Sequence, residues 1–94
     1  MYNKPFKKGV LPESLKTLYL GCYYSKPFEK GVLPQSLETL EFCSNSYYEQ
    51  IYEKGVLPES LKTLKLGLNY NQPFKKEALP KLLNIFICDK RIYL

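Results

Sequence analysis

Histidine is missing from this 94-residue chain, and with it goes the side chain that most often serves as acid or base at neutral pH. The common Ser-His and Cys-His nucleophile pairs are excluded for the same reason. Cysteine is scarce: Cys22, Cys43 and Cys88 include no C-x-x-C pair, so neither a zinc site nor a disulfide framework is expected, and the thiols are read as reduced. Glycine is sparse as well. Gly9, Gly31 and Gly55 stand singly, which leaves no phosphate-cradling loop. Charged residues interrupt every apolar stretch before it could cross a bilayer, and Met1-Tyr2-Asn3-Lys4 lacks the apolar centre of a signal peptide. These absences point to a soluble, intracellular, cytoplasmic protein that is not an enzyme and uses no cofactor or metal.

What the chain does have is repetition. The segments Lys4–Pro12, Lys26–Pro34, Gln50–Pro58 and Gln72–Pro80 follow one pattern, and their closing Leu-Pro steps recur at intervals of 22, 24 and 22 residues. A period of this length marks a solenoid, in which each unit buries its apolar side only against its neighbours. The units run approximately over 2–23, 24–47, 48–69 and 70–94 and make a single domain.

Within each unit the leucines set the geometry. Leu15, Leu18 and Leu20 have the spacing L-x-x-L-x-L, which returns as Leu37, Leu40, Phe42, then Leu61, Leu64, Leu66, then Leu83, Phe86, Cys88. The end of the frame alternates with period two, so Leu18 and Leu20 point one way and Thr17 and Tyr19 the other, as in a short strand. Leu11, Leu33, Leu57 and Leu79, each before a proline, add an apolar position at the corner, where proline biases the preceding residue toward extended geometry. The expected core is these leucines with Phe42 and Phe86. Asn45 and Asn69 complete the leucine-rich-repeat signature and are expected to satisfy backbone groups turned inward. The prolines and glycines ahead of each strand leave no room for a long helix. Gly9, Gly31 and Gly55 are read as positive-φ or close-approach positions, which Glu77 in the last unit would force to be built differently.

The Leu-Pro-x-Ser-Leu core of the first three units, as in Leu11-Pro12-Glu13-Ser14-Leu15, and the upstream Tyr-Asn-x-Pro-Phe, as in Tyr70-Asn71-Gln72-Pro73-Phe74, together resemble the FNIP repeat, a leucine-rich-repeat-like module. The resemblance covers nearly the whole chain. It departs at Ile51 in place of proline, at Ser25 and Glu49 in place of asparagine, and in the fourth unit, which lacks the glycine and the serine. It implies a solenoid with one short parallel strand per coil, turn-rich returns and little helix. Many FNIP arrays are similar to the substrate-recognition parts of ubiquitin-ligase adaptors, where an F-box precedes the repeats. With one residue ahead of the first repeat, that likeness would make this chain a fragment or an F-box-lacking relative.

Stacked strands turn equivalent residues into columns, which can be read for charge and chemistry. The outward columns are Lys16, Glu38, Lys62, Asn84; Thr17, Thr39, Thr63, Ile85; and Tyr19, Glu41, Lys65, Ile87. Alternating signs on adjacent rungs attract by about 0.2–1 kcal/mol per pair, so this face neutralises itself. Thr17, Tyr19, Thr39, Glu41, Thr63, Lys65 and Ile87 are the expected contacts for an as yet unidentified protein partner. The chain's net charge of +5 is concentrated in the loop-side column Lys8, Lys30, Lys54, Lys76, read as a solvated face rather than a nucleic-acid track; a basic nucleic-acid surface is the lesser alternative. Tyr2, Tyr24, Tyr48 and Tyr70 form a column whose place in the repeat favours a packed ladder over base stacking. The apolar ends of the array suggest end-to-end self-association, unless the C-terminal tail folds back as a cap.

Overall fold

The computed structural model describes residues 3–88 and 90–93; Tyr2, expected at the head of the tyrosine column, lies outside them. Each coil contributes one four-residue strand: β1 (Thr17–Leu20), β2 (Thr39–Phe42), β3 (Thr63–Leu66) and β4 (Asn84–Ile87). They pair in parallel in chain order, and β5 (Lys90–Ile92) adds antiparallel to the outer edge of β4. The returns are turns and extended chain, and the one helical piece among the described residues is a single 3₁₀ turn at Lys76–Ala78. This is the expected leucine-rich-repeat-like solenoid.

The reason for parallel stacking lies in the columns. Leu18, Leu40 and Leu64 are in register, and Leu37, Leu40, Leu61 and Leu64 in the middle coils are wholly buried. Leu11, Leu15 and Leu18 in the first coil, and Leu79 and Leu83 in the last, pack against the same core but are only half-covered, because each has a neighbour on one side. Burial of a leucine is worth about 1.5–3 kcal/mol, so the inner coils carry most of the stability.

Aromatic rings fill the other half of the interior. Tyr24 stacks on Tyr48 with centroids 6.3 Å apart, Phe6 on Phe28 at 6.1 Å, and Tyr48, Tyr52, Tyr70 and Phe74 continue the chain of contacts at 6.1, 6.4 and 5.4 Å. The tyrosine column is therefore a ladder inside the solenoid. Tyr24 and Tyr70 reach carbonyl oxygens of the preceding coil, Lys4 O at 3.2 Å and Gln50 O at 2.9 Å. Tyr48 and Tyr52 differ: their hydroxyls lie beside each other without hydrogen-bond geometry and stay buried without a partner.

Gly9, Gly31 and Gly55 have φ of 82°, 82° and 88°, the left-handed region that favours glycine. In the fourth coil Glu77 occupies that place, and the 3₁₀ turn replaces the left-handed corner.

Four expectations need correction. The fourth coil is one residue shorter before its strand: Leu64 pairs with Ile85, Lys65 with Phe86 and Leu66 with Ile87. Ile85 is therefore the core residue and Phe86 points outward, while Ile87 packs against the core instead of joining the outer face; Asn84, not Ile85, stands beside Thr63. The cause is visible in the backbone. In coils two and three, pairs of N–H groups, Glu38 with Thr39 and Lys62 with Thr63, converge on one carbonyl, whereas the fourth coil supplies Asn84 N alone to Lys62 O. Second, Cys22 and Cys43 are joined in a disulfide with Cα atoms 5.0 Å apart, so they are not reduced thiols; Cys88 is free. Coil stacking brings them together although 21 residues separate them. Third, Asn45 is exposed, and Ser46, fully buried, does the inward work, donating its N–H to Cys43 O and accepting from Tyr48 N at 3.0 Å. Asn69 does reach inward, its Nδ2 lying 3.4 Å from Ser46 O. Fourth, Cys88 does not close the fourth strand frame but turns the chain into β5, with φ of 49°, the positive φ that two-residue hairpins require.

Candidate recognition surface

The solvent side of the sheet is ordered by strand register into two rows. One is Thr17, Thr39, Thr63, Asn84; the other is Tyr19, Glu41, Lys65, Phe86, extended by Arg91 on β5. Rungs about 4.8 Å apart set Tyr19 and Phe86 roughly 14 Å from each other, with Glu41 and Lys65 between them. Tyr19 is 60% exposed, and Glu41, Lys65 and Phe86 are half-buried by their neighbours along the row. The short strands hold these side chains outward because Leu18, Leu40, Leu64 and Ile85 between the two rows are committed to the interior.

Of the residues expected on this face, Thr17, Tyr19, Thr39, Glu41, Thr63 and Lys65 lie together, and Ile87 does not. Phe86 and Asn84 take the places that residue counting gave to Ile87 and Ile85. With Ile85, Phe86 and Ile87 apolar in succession, no alternation in the sequence marks Phe86 as the outward residue.

Opposite charges behave differently in the two charged columns. Lys16 Nζ lies 3.6 Å from Glu38 Oε2, and on the return side Lys75 Nζ reaches Glu53 Oε1 at 2.7 Å. Glu41 and Lys65 are register partners, yet among the described residues no ion pair joins them.

The other surfaces are poorer candidates. The stems of Lys8 and Lys30 lie over Gly31 and Gly55 of the next coil, where an added Cβ would come 3.1 Å from Lys8 Cε and 3.4 Å from Lys30 Cδ. Two members of the lysine column, Lys8 and Lys30, thus use their stems to pack on the next coil. Tyr24, Tyr48 and Tyr70 are buried and cannot stack on a base. Burial raises the Tyr48 and Tyr52 hydroxyls well above the usual phenol range and pushes Tyr70 up to about 12. Among the described residues no three cysteine or carboxylate side chains are grouped to hold a metal ion, and no helix is long and apolar enough to span a membrane.

The FNIP Repeat profile matches residues 2–44 and 48–89. The chain belongs to the FNIP repeat family. The break between the two matches falls at 45–47, in the longer second unit that carries Ser46. A solved structure described as a novel circular leucine-rich-repeat protein, CroV588, superposes with a TM-score of 0.83 at 38% sequence identity over 92% of this chain. This chain spans 12% of the length of that protein. Among curated proteins no match is found. Leucine-rich-repeat-like folds of this kind commonly mediate protein–protein interaction and are generally non-enzymatic scaffolds.

Proposed function

We propose that this FNIP chain is a non-catalytic recognition module that holds a protein partner across its sheet face. The observation that carries the reading is the row Tyr19, Glu41, Lys65, Phe86: two aromatic side chains flank two opposite charges that do not pair with each other. Aromatic anchors around unpaired charges are the composition of a binding hot spot, with affinity from the rings and orientation from the charges. The threonine row beside it supplies hydroxyl donors and acceptors. Proteins captured by the chain should be lost, or fall at least tenfold, with Glu41→Lys and with Lys65→Glu singly. Capture unchanged by both substitutions would remove the sheet face from consideration.

This reading keeps the module inside the cell. The Cys22–Cys43 bridge bears on that placement directly, because disulfides persist mainly in oxidising compartments. Chemical labelling of thiols in the producing cell, before lysis, decides it: a reduced pair in living cells agrees with the intracellular placement, and a fully oxidised pair contradicts it.

A further inference from the structure

Charge is divided unevenly across the sheet. At the first two strands Lys16 is taken by Glu38 at 3.6 Å, which leaves Glu41 as the remaining charge. The strands β3, β4 and β5 carry Lys65, Lys90 and Arg91 and no carboxylate, with Lys62 exposed immediately before β3. Among the described residues none of these four cations makes an ion pair.

Two of the four stand on one row of the outer face. Register places Lys65 beside Phe86 and Phe86 beside Arg91, so an aromatic ring separates two cations. With rungs about 4.8 Å apart, those cations are roughly 10 Å from each other. Lys65 and Phe86 are half-buried and Arg91 is exposed. The guanidinium carbon of Arg91 lies 4.8 Å from the centre of the Tyr93 ring. Such a contact steadies the group and leaves N–H donors for a planar acceptor, of which a carboxylate is the closest match.

We infer that the protein partner held on the sheet face lays an acidic segment across β3, β4 and β5. One carboxylate meets Lys65, a second meets Arg91, and an apolar side chain between them covers Phe86. The inference rests on the sheet-face reading above and adds the partner's chemistry to it. Extended chain advances about 3.3 Å per residue, so carboxylates three residues apart span the row. The charges then fix orientation and speed encounter, while the ring supplies the apolar contact. A nucleic acid fits less well. Its phosphates call for cations in succession along the backbone track, whereas Phe86 interrupts this row and Glu41 precedes it.

The probe is a blocked nonapeptide of repeated Glu-Leu-Ser triplets, titrated against the isotope-labelled chain and followed by amide chemical shifts. Saturable shifts centred on Lys65, Phe86 and Arg91 are expected. A peptide with Gln in place of each Glu should bind at least fivefold more weakly, and one with Lys should give no saturable shift. Arg91→Glu in the chain should weaken the acidic peptide at least fivefold. If that variant alters the melting curve, the comparison of the three peptides decides. Absence of saturable shifts, equal binding of the Glu and Gln peptides, shifts centred on Lys8 and Lys30 instead, or tighter binding of an oligothymidylate of the same length would each overturn the inference. If the peptide fails while a captured protein is still lost with Glu41→Lys and with Lys65→Glu, the acidic segment falls and the sheet-face reading stands.

Discussion

Raising the pH from 9 to 12 should unfold this protein in one cooperative step, and the buried tyrosines set the size of the effect. Tyr48, Tyr52 and Tyr70 are each at most 5% exposed, and burial raises all three hydroxyls above the ordinary phenol value of 10.0, Tyr70 to about 12 and the other two further. In the unfolded chain they lose their protons near pH 10, while the native state keeps them. The native state then holds more protons than the unfolded one, so stability is fully present below pH 10 and falls as pH rises toward the folded values. Each such group contributes a slope of about 1.4 kcal/mol per pH unit, and three give about 4 kcal/mol per unit. A domain of this size has roughly 5–15 kcal/mol to lose, which places the midpoint roughly between pH 11 and 12 for a chain near the lower end of that range. The assay is a titration followed by far-ultraviolet circular dichroism and by tyrosinate absorbance in parallel. The two should share a late, cooperative phase, and Tyr52→Phe should move it upward, since that hydroxyl has no partner and its removal also takes away about 1–3 kcal/mol of burial penalty. Smooth tyrosinate formation complete by about pH 11, with the dichroism unchanged, would refute the reasoning.

Three further outcomes follow from the packing. Leu40→Ala, in a wholly buried column position, should cost about 2–5 kcal/mol, and Leu18→Ala, next to it in register but half-covered, about half as much; denaturant midpoints check this, and equal losses would contradict one-sided coverage of the first coil. Gly67→Ala would place a Cβ 2.8 Å from Cys43 O and Ser46 N, whereas Gly21→Ala meets nothing within 4 Å; thermal melts should show a loss of about 1–3 kcal/mol for the first and no loss for the second. Protein purified without reductant should titrate one thiol, Cys88, and reduction should cost about 2–4 kcal/mol of stability; three titrating thiols would remove the bridge.

Where the sequence alternates cleanly, its strands were legible to the residue. Thr17–Leu20, Thr39–Phe42 and Thr63–Leu66 each carry polar and apolar side chains in turn, and a one-residue slip would invert every face. Ile85, Phe86 and Ile87 are apolar in succession, so alternation could not fix their register, and counting from the prolines missed the residue lost ahead of β4. The second unit hid its inward polar group for the converse reason: its interval of 24 residues moved that place from Asn45 to Ser46. The disulfide was invisible because its cysteines occupy different positions in their own repeats and meet only through stacking. The outer face was legible in six of its members, with Phe86 and Asn84 hidden by the same slip. The return-side lysines looked like a charge column in sequence, and their role over the glycines emerged only with the coils in place. The cap formed by β5 was foreseeable in kind, as a tail folding back, but Lys90-Arg91-Ile92 is too short to declare itself a strand.

Nuclear Overhauser contacts between strand backbones test the stacking of coil on coil most directly. The strand register predicts contacts linking Thr17 to Thr39, Thr39 to Thr63 and Thr63 to Asn84, with Leu64 against Ile85 and Ile85 against Ile92. Contacts between Thr63 and Ile85 in equivalent places, or the absence of any contact between successive strands, would contradict it.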